Sequence, residues 1–289
     1  MTTPPYAAII IPHYNDVARL SRCLVALLPQ MRSGIELVVV DNGSSDSLEA
    51  LRAVYPEVRL ITETAKGAAM ARNRGVRETT ALRLFFLDCD CVPDPDWLDT
   101  AQRVADQADL VGGLVTVFDE TPPPRTGPQA FETVFAFDNK GYIEQQGFSV
   151  TANLLTHRKV FAAVGEFTHG VSEDLDWCRR ARNKGFGLIY CEALRCAHPT
   201  RSDWPAFLRK WRRLTQEMFG VNGKSPMARL RWGLRGLAMI PSIAIHLPRV
   251  LKNPRLSGPR ERLAALVTLA RLRMIRALWM IRQAVGGDI

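Results

Sequence analysis

Apolar runs and amphipathic stretches alternate along the first 120 residues of the chain. Short β-branched apolar runs, such as residues 7–11, predict buried strands, whereas leucines at helical spacing over residues 16–28 predict a helix with one apolar face. This alternation predicts an α/β fold with a mostly parallel sheet covered by helices on both faces. The predicted strands are residues 7–11, 36–40, 58–61, 82–87, 110–118 and 188–190, and the predicted helices are residues 16–28, 47–55, 68–78, 96–107 and from 172 onward.

Three polar motifs follow predicted strands, at residues 12–15, 41–46 and 88–90. In parallel sheets, ligands bind just beyond the carboxyl ends of the strands. We therefore expect the three motifs to lie at one edge of the sheet and to form a ligand site.

Asp88 and Asp90 follow the apolar run 84–87 and flank Cys89. Alternate residues of an extended chain point to the same side, so the two carboxylates repel each other unless a cation offsets their charge. A hard divalent cation that bridges diphosphate oxygens would do so. The other interpretation is a pair of acids in a solvated turn.

Residues 41–46 join a predicted strand to a predicted helix. Gly43 permits a tight turn, and Ser44 or Asp46 can cap the helix, so an ordinary turn explains these residues completely. An ordinary turn does not explain Asp41. Its carboxylate could accept a hydrogen bond from the base or ribose of a nucleotide.

Residues 66–75 begin a predicted helix with small side chains and cations. Small residues permit a close backbone approach, and Lys66 or Arg72 could offset the charge of a phosphate. The alternative is a helix packed tightly on the sheet with solvated cations.

Glu173 and Asp174 lie in the first turn of a predicted helix, about eighty residues beyond Asp90. A carboxylate beside a bound sugar could deprotonate an incoming hydroxyl, although the helix dipole alone favours acids in a first turn. His198 precedes Pro199 and could ligate a metal, but a lone histidine is more often structural or merely exposed.

Composition narrows the class of protein. Hydrophobic residues make up 47% of the chain, which is enough for a packed core and argues against disorder. The six cysteines form no CxxC pair, which is typical of reduced thiols in the cytosol. The polar, proline-rich start predicts no signal peptide.

The net charge of +9 is unevenly distributed. Residues 201–289 hold 18 Lys plus Arg and 4 Asp plus Glu, or +14, which leaves 20 basic and 25 acidic residues, or −5, for residues 1–200. We therefore expect a catalytic domain at residues 1–200 and a basic helical region at residues 201–289. Such a region could face phosphate, nucleic acid or an anionic membrane.

Taken in order, these motifs resemble those of glycosyltransferase family 2, the inverting enzymes with the GT-A fold, over roughly residues 7–200. The resemblance implies a mixed, mostly parallel sheet flanked by helices, with a C-terminal basic helical extension. It also implies transfer of a sugar from a UDP-, GDP- or dTDP-sugar donor. The matching segments are IPHYN at 11–15, VDNGSSD at 40–46, KG at 66–67, ARN at 71–73, DCD at 88–90, TANL at 151–154, VGEF at 164–167 and EDLDWCRR at 173–180.

The resemblance implies a role for each matching residue. Asp174 would be the catalytic base of a single, inverting displacement, with Glu173 holding the geometry of the site. Mg2+ or Mn2+ would be bound by Asp90 and His198. The donor would be bound by Pro12, Tyr14 and Asp41 at the base and ribose, by Lys66 and Arg72 along the diphosphate, and by Asp88 at the ribose or sugar.

Two departures from the family pattern refine the expectation. Asn42 stands where many relatives have a second aspartate, which bears on donor preference. The processive synthases carry a QxxRW motif, whereas this chain has Phe207-Leu208-Arg209-Lys210-Trp211 after the predicted base. We therefore expect transfer of a single sugar rather than polymerisation.

The basic region carries apolar stretches at residues 236–248 and 263–281. The first is too short for a spanning helix, which needs about twenty residues, and the second is interrupted by Arg271, Arg273 and Arg276. Arginine, tryptophan and leucine together suit an anionic membrane surface. The alternatives are helices packed on the catalytic domain or a dimer contact.

These features predict a cytoplasmic enzyme that is peripheral at the inner face of the membrane. Its acceptor would be a glycan or a lipid-linked precursor in cell-surface polysaccharide biosynthesis. No nucleic-acid partner is expected, because no nucleic-acid-binding motif is present.

Two other functions stay open on the sequence. A nucleotidyltransferase also combines a nucleotide site with acidic metal ligands, but it would normally need a glycine- and arginine-rich loop where this chain has residues 12–15. A non-catalytic nucleotide-sugar-binding membrane scaffold would not need intact acids at both 88–90 and 173–174.

Overall fold

The computed structural model describes residues 3–223 and 225–289. The chain divides into two compact units, which are described separately. The first comprises the residues up to Thr116, Asp138–His169 and Glu173–His198, and the second comprises Val117–Phe137, Gly170–Ser172 and Pro199–Ile289. The domain bounds expected from the sequence, 1–200 and 201–289, stay a prediction.

The first unit is built on a mixed sheet. Its strands are β1 (Ala7–His13), β2 (Ile35–Asp41), β3 (Arg59–Thr62), β4 (Arg83–Leu87), β5 (Val92–Pro93), β6 (Leu110–Phe118), β7 (Asn153–His157) and β8 (Leu188–Pro199). Within the described residues they form one eight-stranded sheet in the order β3-β2-β1-β4-β7-β6-β8-β5. Strands β1 to β4 run parallel, whereas β7 is antiparallel to both β4 and β6, and β5 is antiparallel to β8.

Helices lie on both faces of this sheet. They are α1 (Val17–Leu27), α2 (Glu49–Val54), α3 (Ala68–Arg77), α4 (Trp97–Val104), the single turn α6 (Asn139–Gly141), α7 (Arg158–Val164) and α8 (Glu173–Asn183). Phe86 of β4 packs against Phe161 and Phe167. The adjacent Phe85 points the other way, to Trp97 of α4. Burial on both faces explains why β1 and β4 read as continuous apolar runs.

Gly75 sets the distance between α3 and the sheet. A Cβ atom there would come within 2.4 Å of Ile10 Cγ2 on β1. The helix therefore approaches the strand more closely than any larger residue permits. The packing interpretation of the small residues in 66–75 is thus correct for this face of α3.

Some elements differ from the sequence prediction. The structure adds β7 and α7, and it extends β8 to Pro199, well beyond the predicted end at residue 190. The polar residues Asn153 and Thr156 interrupt the apolar pattern of β7, yet both are buried because their side chains hydrogen-bond within the unit.

The second unit is helical. It contains α5 (Gly127–Phe135), α9 (Trp204–Asn222), α10 (Pro226–Ala238), α11 (Ser242–Leu251) and α12 (Gly258–Ala284). Helix α5, which is not among the helices predicted from the sequence, packs against α9 and α12. The ring centroids of Phe131 on α5 and Phe207 on α9 lie 5.3 Å apart. The predicted helical character of the C-terminal region is confirmed.

Helices α10 and α12 pack closely. A Cβ atom on Gly236 would lie 3.0 Å from Met280 Cβ, and Trp232 Nε1 donates a hydrogen bond of 2.9 Å to Gln283 Oε1. Among the described residues, no single helix has the length and apolarity to cross a membrane. Only α10 and α11 taken together meet these criteria, and a bend of 49° separates them.

Candidate active site

The three polar motifs meet at one edge of the sheet. Strands β1 and β2 end side by side, with His13 paired to Asp41. Strand β4, which is parallel to β1, ends at Leu87, so Asp88 follows directly. Parallel pairing of these strands therefore brings together residues that are far apart in the sequence.

Asp41 is held in place by its neighbours. Its Oδ1 lies 3.1 Å from His13 Nδ1 and accepts a hydrogen bond of 2.5 Å from Ser44 Oγ, and its Oδ2 accepts from the Ser44 backbone amide at 3.3 Å. The backbone N–H of Asp16 donates to His13 Nε2 at 3.2 Å. The proton of a neutral His13 must therefore be on Nδ1, where it can donate to Asp41.

Two loops are joined beside Asp41. The Asn15 side chain accepts a hydrogen bond of 2.7 Å from the Ser45 backbone amide, and the Asn15 backbone amide donates to Ser44 Oγ at 2.9 Å. Pro12 is buried in β1, whereas Tyr14 is 58% exposed. Of these two predicted donor residues, Tyr14 thus presents its ring to solvent and Pro12 supports the strand end.

Asn42 organises the loop before α3. Its side-chain amide donates to the carbonyl oxygens of Glu63 and Ala65, and its Oδ1 accepts from the Gly67 backbone amide at 2.6 Å. Gly67 has φ 120°, and a Cβ atom there would lie 2.4 Å from His169 Nδ1. Asn42 therefore has a structural task that the family comparison of this position does not reveal. Lys66 is exposed in the same loop.

Arg72 joins the motifs of three segments. Its side chain is 4% exposed, with Nη2 2.5 Å from Asp88 Oδ1 and Nη1 3.0 Å from Glu173 Oε1. Burial lowers the pKa of Arg72, but the charges of Asp88 and Glu173 outweigh it and leave the pKa above its ordinary value. Arg72 therefore stays charged and fixes both carboxylates. The position of Arg72 along the diphosphate of a donor stays a prediction.

Asp174 lies in the first turn of α8, beside this network. Thr151 Oγ1 donates a hydrogen bond of 2.7 Å to Asp174 Oδ1. Burial and the adjacent charge of Glu173 raise the pKa of Asp174 to about 7, although Arg72 and Thr151 act in the opposite direction. A carboxyl group with a pKa near neutrality is well suited to accept and release a proton.

Asp90 and His198 lie together at the β5–β8 corner. Their Oδ2 and Nε2 atoms are 3.0 Å apart. The pairing of Val92 with Ala197 in antiparallel strands brings Asp90 and His198 to this corner from distant parts of the sequence. The structure thus brings together the two residues that the sequence predicts as metal ligands.

The chemistry of this pair fits a divalent cation. One carboxylate oxygen and one imidazole nitrogen suit Mn2+, and the oxygen also suits Mg2+. Among the described residues, no group of three or more His, Cys, Asp or Glu side chains is arranged to hold a metal ion. The remaining ligands would therefore have to come from the substrate and water.

The sequence prediction missed three residues of this site. His13 orients Asp41, Ser44 bridges the two loops, and Thr151 holds Asp174. His13 and Thr151 belong to the segments at 11–15 and 151–154, so their motifs had flagged their positions. Their tasks depend on contacts with residues elsewhere in the chain.

Comparisons with known sequences show which family the chain resembles. The sequence model described as Glycosyl transferase family 2 matches residues 8–165. The chain is 31% identical over 211 residues to Glycosyltransferase AglE of Haloferax volcanii, covering 69% of each protein. It is 33% identical over 107 residues to Uncharacterized glycosyltransferase YibD of Escherichia coli, which covers 36% of this chain and 31% of YibD.

A solved structure shares the fold. It is that of mannosyltransferase PcManGT from Pyrobaculum calidifontis in complex with GDP-Man and Mn2+. The TM-score is 0.57 at 17% sequence identity, and the match covers 100% of this chain and 77% of that one. The predicted fold, a mixed sheet flanked by helices with a C-terminal helical extension, is therefore confirmed.

Proposed function

Because the chain belongs to glycosyl transferase family 2 and is therefore a glycosyltransferase, we propose that it transfers one sugar with inversion at the anomeric carbon. The donor is a nucleotide-diphosphate sugar and the acceptor is a hydroxyl group. The observation that carries the proposal is Asp174, held by Thr151 beside the edge where β1, β2 and β4 end, with a pKa of about 7.

Asp174 acts as the general base. Its carboxylate accepts the proton of the acceptor hydroxyl while the acceptor oxygen forms a bond to the anomeric carbon. The bond from that carbon to the diphosphate oxygen breaks, and its electron pair leaves with the nucleoside diphosphate. Glu173 and Asp88 are fixed by Arg72, so their charges stay in place around the base. This preorganisation is the main electrostatic contribution expected from the protein.

Asp90 and His198 hold Mg2+ or Mn2+ in this proposal. When bound, the ion offsets the negative charge that develops on the departing diphosphate. The Mn2+ and GDP-Man in the PcManGT complex support this assignment by similarity of fold.

The remaining donor contacts follow from the same edge of the sheet. Tyr14, which is exposed, and Asp41, which is oriented by His13, serve the base and ribose, with Pro12 supporting the strand end. Lys66 is exposed beside the N-terminus of α3 and serves the diphosphate. The donor is a UDP-, GDP- or dTDP-sugar, and thermal shifts with the three classes of donor distinguish them.

The segment that stands in place of QxxRW lies in the second unit. Lys210 forms an ion pair of 2.7 Å with buried Glu132, and Trp211 packs against Phe131 in the core. These contacts give the segment that replaces QxxRW a structural task, which supports transfer of a single sugar. The basic region supports a cytoplasmic enzyme, peripheral at the inner face of the membrane, that acts on a lipid-linked or cell-surface glycan precursor.

Asp174→Asn tests the proposal, with Asp176→Asn as a matched control in the same helix turn. Asp174→Asn should lower transfer by about 10²–10⁴-fold while donor binding stays near wild type. Asp176 pairs with Arg180 instead, so its variant should retain transfer. Donor binding is measured as a thermal shift with UDP-, GDP- and dTDP-sugars, with and without Mn2+. Wild-type transfer by Asp174→Asn, or no metal-dependent shift with any donor, would contradict the proposal.

A further inference from the structure

Two arginines lie on the buried face of α12. Arg273 and Arg276 share this face with Leu269 and Met280, which are fully buried. The Arg276 guanidinium stacks over the Trp211 ring at 4.7 Å from its centroid. Arg273 Nη1 donates to Met239 Sδ at 3.0 Å, so its contact is with a weak, uncharged acceptor.

Among the described residues, no carboxylate forms an ion pair with Arg273 or Arg276. Arg276 Nε and Trp211 Nε1 are buried hydrogen-bond donors, and neither has an acceptor among the described residues. Burial, together with the charges of Arg273 and Arg235, lowers the pKa of Arg276 to about 10. A buried donor without a partner costs free energy, so an anion that reached these two donors would be bound favourably.

The buried carboxylates of this unit are already engaged. Glu132 forms ion pairs with Arg201 and Lys210, and Glu261 forms one with Arg125. Neither appears among the groups that influence Arg276. The arginine cluster, defined as Arg235, Arg273 and Arg276, is therefore complementary to an anion from outside the chain.

An exposed apolar stripe lies on α10. One face of α10 packs on α12 through Trp232 and Gly236, which are buried. The next face carries large apolar side chains at helical spacing, followed by the exposed cations Arg231 and Arg235. The apolar stripe consists of Met227, Leu230, Leu234 and Leu237, which are 56, 56, 56 and 54% exposed.

We propose that the arginine cluster binds the phosphate of an anionic phospholipid while the apolar stripe of α10 enters the hydrocarbon boundary of the same membrane. A free phosphate would leave the stripe exposed to water, whereas a phospholipid supplies both chemistries. A helix that lies in the membrane plane also keeps Arg231 and Arg235 at the headgroups, where each is attracted to anionic lipid. This inference rests on the membrane attachment in the proposed function and assigns residues and a lipid chemistry to it.

Vesicle flotation of the full chain tests the cluster. Wild-type protein should float with phosphatidylcholine vesicles that contain phosphatidylglycerol and remain unbound with phosphatidylcholine alone. Arg276→Met should weaken flotation roughly tenfold, as expected for the loss of charge-assisted hydrogen bonds. Arg260→Met removes the same charge from an exposed position of α12 and serves as the control. Equal losses of flotation in the two variants would indicate diffuse electrostatic attraction to the vesicles and would overturn the proposal of a defined site.

A second pair of variants tests the stripe. Leu234→Ser should weaken flotation, whereas Leu82→Ser, which changes a leucine of similar exposure (51%) in the first unit, should not. Thermal shifts with inorganic phosphate and with glycerol phosphate identify the source of the anion. If inorganic phosphate stabilises the protein as much as anionic vesicles do, the lipid assignment is wrong.

Stability without lipid separates binding from a structural role. Arg276→Met should unfold at the same or a higher temperature than wild type, because it removes a buried unpaired cation. A clear decrease would assign Arg276 to packing and overturn the proposal. The donor thermal shift with Mn2+ is measured on the same preparations. A failure of vesicle binding with an intact donor response therefore contradicts the lipid site and leaves the transferase proposal standing.

Discussion

Arg72 in the first unit and Arg276 in the second are helical arginines with buried Nε atoms, yet the charges around them differ in sign. Arg72 contacts the carboxylates of Asp88 and Glu173, and its pKa lies above the ordinary value. Arg276 contacts an aromatic ring and has Arg273 and Arg235 as charged neighbours, and burial with these charges lowers its pKa to about 10. Arg72 is thus part of an internal network of ion pairs, whereas no carboxylate among the described residues pairs with Arg276.

The two arginines show how each unit uses its charge. In the first unit, the contacts of Arg72 fix carboxylates where a reaction requires a constant field. In the second, excess cations are available for an anion that the chain itself does not supply. Substitutions that remove each arginine should therefore have opposite effects on stability.

Arg72→Met should have the largest effect. It leaves Asp88 and Glu173 without their cation and should lower the free energy of unfolding by about 3 kcal/mol, with loss of transfer. Chemical denaturation measures the change. Arg74→Met is the control, because Arg74 forms an exposed i,i+4 pair with Glu78 and should cost only about 0.5 kcal/mol. Similar losses of stability in both variants would show that Arg72 contributes no more than an exposed ion pair does.

The pH dependence of transfer should come next. The catalytic form of Asp174 is the carboxylate, so transfer should rise with pH through about 7 and fall about tenfold per pH unit below it. The groups that face Asp174 are Glu173, Arg72 and Asp88. Rates are measured at saturating donor, with donor binding determined at each pH.

The free energy of unfolding should instead decrease as the pH rises towards 7. The folded pKa of Asp174 lies above its ordinary value of 3.8, so its contribution is full below about pH 3.8 and is lost as the pH rises through about 7. Asp174→Asn should remove this dependence, whereas Asp176→Asn should keep it. A wild-type stability curve that rises between pH 4 and 7 through Asp174 would contradict the raised pKa.

Arg276→Met should have a smaller effect of opposite sign to that of Arg72→Met. Replacing a buried, unpaired cation by an apolar side chain of similar length should raise the free energy of unfolding by about 1 kcal/mol. Arg276→Lys keeps the charge and should give no such gain. Denaturation in lipid-free buffer measures both variants. A loss of stability in Arg276→Met would show that the stacking on Trp211 stabilises the fold by more than the unpaired charge destabilises it.

Arg271→Met should have the smallest effect. Arg271 stacks over Trp204 at 4.1 Å from the ring centroid but is exposed, so its contact contributes only about 0.5–1 kcal/mol. Denaturation should show a slight loss relative to Arg260→Met. A loss as large as that of Arg72→Met would show that stacking, and not ion pairing, holds the helices of the second unit.

The fold of the first unit could largely be predicted from the sequence. Strands β1, β2, β4 and β6 and helices α1 and α3 lie within a few residues of the predicted bounds, because a buried strand and an amphipathic helix have distinct periodicities. Helix α5 and strand β7 were missed. Their burial depends on contacts with segments that are remote in the sequence, such as Phe207 for α5.

The candidate site was predicted as a set of residues but not as a set of contacts. The motifs flagged Arg72, Asp88 and Glu173 one by one, and the expectation for Arg72 was a phosphate. The structure instead joins Arg72 to a carboxylate 101 residues away. In the sequence, Arg271, Arg273 and Arg276 only interrupt an apolar stretch. Only the packing of α9, α10 and α12 shows that Arg273 and Arg276 lie on a buried face.

The sequence is sufficient to locate most strands and helices of the first unit, the acids that follow the strands, and the division of charge between residues 1–200 and 201–289. These features are local, because periodicity, turn chemistry and charge are properties of neighbouring residues. Tertiary packing sets the surroundings of each charge: two carboxylates offset the charge of Arg72, whereas none among the described residues pairs with Arg276. Packing also places the Thr151 hydroxyl where it donates a hydrogen bond to Asp174. Burial and the distance between charges set these outcomes, and both arise only when remote segments pack together.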